Sequence, residues 1–255
     1  MNTDILLRKL AKRFPKRYAR MNHDRVGLMT GKKPEEIHKV VLALDMEWEI
    51  FDFVKEQHPD AVFTHHPLIF GPRARVLKGD ESKRKLVEAL DELGVPVYSF
   101  HTNYDTGKGG MNDNLSEALG LENIYAPQKD IMMRIGTLPK EMPIMDFCKF
   151  AKQQFDVSYS LLIHNGVDTI KKVGIVGGGG SRSWPIAKEE GCDIYISGDA
   201  PHHVRRGIVD GHFNYLDMPH EIEKIFIKGM KKVLLEIDDS LEVVTIDHEK
   251  LPIVV

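Results

Sequence analysis

Cysteine is scarce in this chain: of 255 residues only Cys148 and Cys192 carry a thiol, far apart and in no spaced motif. That scarcity excludes a disulfide framework and a thiolate zinc site. Both thiols are expected to be buried and free, since each lies in an apolar or strand-opening context. Long hydrophobic runs are missing too. No stretch approaches the roughly 18 apolar residues of a membrane span, and MNTDILLRKLAKRFPKRYAR interrupts its apolar positions with charge, leaving no signal-peptide core. A cytoplasmic protein with no membrane partner is the expectation. Charge of one sign is not in excess: 35 Lys and Arg stand against 38 Asp and Glu, a net charge of -3. A nucleic-acid binder of the usual basic kind is therefore disfavoured.

What is present is ordinary globular material, 42% hydrophobic and 29% charged. Ile5, Leu6, Leu7, Leu10 and Phe14 recur at helical spacing within a basic surround, predicting an amphipathic first helix with a solvated basic face. KVVLALDM at 39–46 lacks alternation and suits a strand buried on both faces of a parallel sheet. A helix through WEIFDFVKEQ and a second buried run, DAVFTHH, complete a βαβ unit. ESKRKLVEALDELG continues as a helix, VPVYSFHTNYD as a strand closing in polar residues, and GGMNDNLSEALGL opens another helix.

The pattern restarts after residue 126 with IMMRIGTLP, MPIMDFCKFAKQQF, VSYSLLIHNG, KKVGIVGGGG, SRSWPIAKEEG and CDIYISGD. FIKGMKKVLLEI and LEVVTID are expected to return to the first sheet. The fold class is therefore α/β, with two domains of mainly parallel sheets and the functional site at strand C-terminal ends between them. Residues 1–125 with 205–255 form the first, discontinuous domain and 126–204 the second.

Twelve histidines are the unusual number. In open parallel sheets ligands bind beyond the carboxyl ends of the strands, so polar residues closing apolar runs are the first to inspect. One run closes in His65, His66 and Pro67, another in His101, Thr102, Asn103 and Asp105, and a third in Asp199, His202 and His203. LDMPHEIEK adds His220 and Glu223, three apart and so on one face of a helical turn. Each cluster alone has an ordinary structural explanation as core, turn or surface residues; the conjunction of four at element ends does not.

Imidazole with carboxylate suits Zn, Mn, Fe, Co or Ni better than Ca or Mg. Five or more such ligands exceed one structural site, whereas two ions about 3.5–4 Å apart would use them all. Separately, Gly177 to Gly180 between a strand and Ser181 reads either as an anion cradle helped by Arg182 or as a tight strand-to-helix turn. It lacks the P-loop lysine.

The tokens THHPLIF, SFHTNYD, SGDAPHH and LDMPHEIEK, in that order, resemble the NIF-three-like dinuclear-metal-centre proteins, often labelled GTP cyclohydrolase type 2 homologues. MNHDRVGLMTGKKPEEIHKVVLALD is similar to that family's opening segments, and the likeness covers essentially the whole chain. The resemblance implies His65, His66, Asp105, His220 and Glu223 as ligands of two divalent metal ions per chain. It also implies the short family form, without an inserted domain, assembled into a toroidal homohexamer. Three positions depart from the family pattern. His23 stands where a Trp is usual, Pro219 where a Gly precedes the ligand His, and Lys224 where the Glu often sits.

Glu223, a carboxylate sharing a helical face with a ligand histidine, is the bridging candidate. His101 and His203 are then candidates for acid-base work or for orienting a ligand. Three functions stay open on this reading. One is a metal-dependent hydrolase, cyclohydrolase-like or phosphoesterase-like, acting on a nucleotide-like or phosphorylated small molecule. The others are a non-catalytic metal-binding protein and a ring-forming regulatory or interaction protein.

Overall fold

The runs KVVLA, AVFT and VYS are buried almost throughout and pair side by side in parallel, as continuous apolar runs in a doubly covered sheet should. The computed structural model describes all 255 residues. In chain order the first unit holds α1 (Thr3–Arg13), α2 (Lys16–Met21), β1 (Gly27–Thr30), β2 (Lys39–Ala43), α3 (Trp48–Gln57), β3 (Ala61–Thr64), α4 (Arg73–Gly79), α5 (Glu81–Leu93), β4 (Val97–Ser99) and α6 (Thr102–Thr106). The second unit follows with α7 (Met111–Ala118), β5 (Glu122–Tyr125), β6 (Arg134–Pro143), α8 (Ile144–Gln154), β7 (Leu161–Ile163), β8 (Thr169–Ile175), α9 (Trp184–Glu189), β9 (Ile194–Ser197), α10 (His202–Asp210) and β10 (Tyr215–Asp217). α11 (Ile225–Ile237) and β11 (Glu242–Thr245) bring the chain back to the first sheet. The units comprise Met1–Gly110 with Phe226–Glu249, and Met111–Ile225 with Lys250–Val255.

In the first unit the strand order is β1-β4-β3-β2-β11, parallel except for β1 at the edge. The predicted βαβ repeat and the returning last helix and strand are all present. α3 and α5 bury Ile50, Val54, Leu86, Val87 and Leu90 against Val41, Val62 and Val97. Each large side chain so removed from water contributes about 2 kcal/mol. α1 is amphipathic as predicted. It buries Leu6 and Leu10, and its N-cap Asn2 accepts from the amides of Asp4 and Ile5.

One element differs from the expectation. The run VPVYSFHTNYD leaves the sheet at Ser99, and Thr102–Thr106 turns into a short helix. The cause is tertiary: the Asp24 carboxylate accepts from the Thr102 hydroxyl at 2.8 Å, and the amides of Tyr104 and Asp105 both donate to the His101 carbonyl.

The second sheet, ordered β5-β6-β8-β9-β10-β7, is mixed. Only β8, β9 and β10 run parallel, while β5, β6 and β7 add antiparallel pairings. The eight residues between β5 and β6 are too few for the crossover that parallel pairing needs, roughly a dozen residues or more. Its core gathers Met133, Ile135, Val176, Ala187, Tyr195, Ile208 and Tyr215.

Both cysteines are buried and free, as expected. Burial pushes the Cys148 thiol up to about 11 and the Cys192 thiol up to about 12. At pH 8 a thiol at 11 is only about one-thousandth thiolate. Native protein is therefore expected to resist iodoacetamide at both positions, and urea-unfolded protein to take two labels, read by intact mass.

Candidate metal-binding residues

Three neighbouring parallel strands in the first unit end together, and each delivers a polar group. β2 is followed by Asp45, β3 by His65 and His66, and β4 by His101 and Asp105. Successive residues on a strand point to opposite faces, yet the His65 and His66 rings lie with centroids 4.8 Å apart. The backbone explains this, because both amides donate to the single carbonyl of Leu44 at 3.1 Å, so the strand has already ended. The His101 ring stands 5.2 Å from that of His65 and 5.7 Å from that of His66. These three histidines each bring a ring nitrogen within 4.8 Å of the others, a spacing that a metal ion could bridge. Asp105, on the first turn of α6, places Oδ1 3.5 Å from His65 Nε2.

The second unit repeats the arrangement. β8, β9 and β10 end side by side, leading into Gly177–Gly180, Asp199 and His220 respectively. His220–Lys224 forms a 3-10 turn, and in that tighter helix residues three apart eclipse. Glu223 therefore takes the place that a residue four along would hold in an α-helix, with Oε2 3.0 Å from His220 Nε2. Lys224 instead reaches Asp156 at 2.9 Å.

The same device fixes all four histidines. Nδ1 of His65 meets the Phe100 carbonyl at 2.8 Å, that of His66 the Asp45 carboxylate at 2.7 Å, that of His101 Asp24 at 2.8 Å, and that of His220 Asp199 at 2.5 Å. Each partner is an acceptor, so Nδ1 carries a proton, and in its neutral form each ring offers its lone pair at Nε2, as a metal-ligating imidazole does. Burial raises the pKa of Asp45, but the hydrogen bond from His66 opposes it, and the carboxyl is held below its ordinary value. Asp24 is likewise raised by burial and lowered further by His101 and the Thr102 hydroxyl.

In this tautomer His65 Nε2 faces Asp105, and His220 Nε2 faces Glu223, as electron-rich atom against electron-rich atom. Such pairs repel unless a proton or a metal cation lies between them. Separations of 3.5 and 3.0 Å match the spacing, about 3–3.5 Å, of two donors sharing one ion at metal-ligand distances near 2.1 Å. The chemistry of the donor set fits a borderline divalent metal.

The Gly177–Gly180 segment makes a tight turn in which two of its four amides are used inside the fold. The Gly177 amide donates to Asn112, the Gly180 amide to the Gly178 carbonyl, and that carbonyl also accepts from Gly198 and Ser197. The loop also packs against a candidate ligand. Gly178, at a φ of +62°, passes so close that a Cβ there would lie 2.3 Å from Glu223 Oε1. His203 is exposed on the first turn of α10 and belongs to none of the clusters whose ligand atoms converge.

Two groups were not singled out by the sequence reading. Asp45 closes the first buried run, so the same strand-end rule would have found it. Asp24 sits on no strand and only the fold brings it to His101.

Two α/β units, each with histidine and carboxylate beyond the ends of parallel strands, carry side chains that could hold a metal ion. The chain matches the profile of the Duf34/NIF3 (NGG1p interacting factor 3) family over residues 1–252, and it belongs to that family. Among its relatives are proteins named GTP cyclohydrolase 1 type 2 homolog. That of Clostridium perfringens is 31% identical over 237 residues, 90% of each chain, and that of Lactococcus lactis 32% over 225 residues, 86% of each. The solved structure of a Bacillus cereus protein related to NIF3 superposes with a TM-score of 0.88 at 22% identity, covering 100% of this chain and 99% of that one. Reduced HcgD from Methanocaldococcus jannaschii gives 0.80 at 26% identity, covering 96% and 97%. No helix is long and apolar enough to cross a membrane.

Proposed function

We propose that this protein binds two divalent metal ions per chain through His65, His66, Asp105, His220 and Glu223 and is a metal-dependent hydrolase of a nucleotide-like or phosphorylated small molecule. The observation that carries the metal reading is the shared hydrogen bond at Nδ1. Four histidines are held at Nδ1 by acceptors, and two of them turn Nε2 onto a buried carboxylate. The names of the relatives support the choice of hydrolysis and of a nucleotide.

Divalent ions held by such donors supply Lewis-acid polarisation of a carbonyl, imine or phosphoryl oxygen and water of lowered pKa. The chain's own contribution is orientation and proton handling. Asp45 and Asp199 lock the rings of His66 and His220. Asp24 keeps a proton on His101 Nδ1, so His101 Nε2 is set to accept one during turnover and return it. His203, exposed at the head of α10, is the second acid-base candidate.

The test is elemental analysis of protein purified without chelator, followed by a screen of nucleotides and phosphoesters. About two ions per chain and turnover that disappears on chelation and returns with Zn, Mn or Fe are expected. Metal near zero after reloading would overturn the metal reading. Full loading with no turnover would overturn the hydrolase and leave a metal-binding protein.

A further inference from the structure

Phe70 ends the run Pro67–Leu68–Ile69–Phe70, in which the first three residues are buried and the fourth is 71% exposed. No other large aromatic shows as much of itself: Trp48 is 43% exposed and Tyr125 40%. The exposure is built in. Leu68 and Ile69 are inserted in the core of the first unit, and Gly71, at a φ of +103°, turns the chain immediately afterwards. The phenyl ring is thus held outward by anchored neighbours.

Its one ring contact is with His101, at 6.3 Å between centroids and 83° between planes. That edge-to-face contact spends one side of the pair and leaves phenyl surface open beside the His65, His66 and His101 cluster. An uncharged flat surface next to imidazoles suits a ligand that joins a planar ring to an anionic group, the ring stacking while the anion would meet the metal ions proposed above.

We infer that Phe70 is a stacking platform that selects substrates carrying a planar heteroaromatic ring, as in a purine nucleoside monophosphate. This rests on the metal-dependent reading above and names the substrate class of that site. Stacking of a base on an aromatic side chain is worth roughly a tenfold change in affinity or more on truncation.

The experiment titrates AMP and GMP, with ribose 5-phosphate as the ringless probe, into wild type, Phe70→Ala and Phe70→Trp, loaded with metal and after chelation. Binding is read by calorimetry, and the Trp variant also by its own fluorescence. Expected are a loss of roughly tenfold in purine nucleotide affinity in Phe70→Ala, ribose 5-phosphate affinity unchanged, and recovery with ring-dependent quenching in Phe70→Trp. Metal content and sedimentation should match wild type in both variants.

Equal affinity of wild type and Phe70→Ala for the nucleotides would overturn the assignment, as would wild type binding no nucleotide. A changed assembly state in Phe70→Ala would overturn it too, by making the ring a contact between copies. Failure of the metal reading shows separately, as absence of metal from wild type. Quenching of the Trp variant by purine rings in chelated protein would still stand in that case.

Discussion

His65→Ala and Glu223→Ala, purified beside wild type without chelator, are each expected to lose most of the metal that wild type carries. The size of the effect follows from ligand number. Sites with four protein ligands hold Zn at roughly 10–16 kcal/mol, about 3 kcal/mol per ligand, so removing one ligand weakens binding by about a hundredfold or more. His65 is wholly buried and Glu223 nearly so. Replacement by Ala therefore also leaves Asp105 and His220 facing a gap.

Glu223→Gln separates the two effects. It keeps the volume and removes the charge that a cation would answer, so it should lose metal while melting near wild type. Asp45→Asn acts one step away. Loss of a partner that orients a ligand histidine costs 10–100-fold in affinity, the smaller end of the series. Inductively coupled plasma analysis of the set, with melting curves alongside, reads all of it. Full metal content in Glu223→Gln would remove that residue from the ligand set.

Much of this arrangement was legible in the residue order because the signals were local. Apolar runs without alternation marked β2, β3 and β9, and the polar residue after each run marked a place where a ligand could sit. Asp105 is a candidate from the sequence although the element carrying it differs: HTNYD reads as the end of a strand, and the Asp24 carboxylate, eighty or so positions away in the chain, helps turn it into a helix. The mixed pairing of the second sheet was hidden for a related reason, since burial shapes a strand's composition and the direction of its partner does not. The spacing of His220 and Glu223 was visible, whereas the 3-10 turn that makes three residues the right interval is a property of the fold. Four glycines in a row left an anion cradle and a tight turn both open. In the fold, Gly178 packs against the Glu223 carboxylate.

That contact carries the second large expectation, in Gly178→Ala. Two costs act there. A φ of +62° is strained for any residue with a Cβ, worth about 1–2 kcal/mol, and the added carbon would stand 2.3 Å from Glu223 Oε1 and 3.0 Å from its carboxyl carbon. Gly120→Ala isolates the first cost, because Gly120 has a φ of +63° and nothing within 4 Å of its Cβ. In a chain of this size 1 kcal/mol corresponds to about 2–4 °C in melting temperature. Gly120→Ala is thus expected to melt a few degrees below wild type with its metal content intact.

Gly178→Ala must either move the loop, breaking the bonds that tie the Gly178 carbonyl to Gly180, Ser197 and Gly198, or swing Glu223 away from His220. A drop in melting temperature beyond that of Gly120→Ala reports the first route, and a loss of metal reports the second. Equal melting and equal metal content in the two variants would show that the glycine is needed for its backbone angle alone and plays no part in holding the Glu223 carboxylate in place.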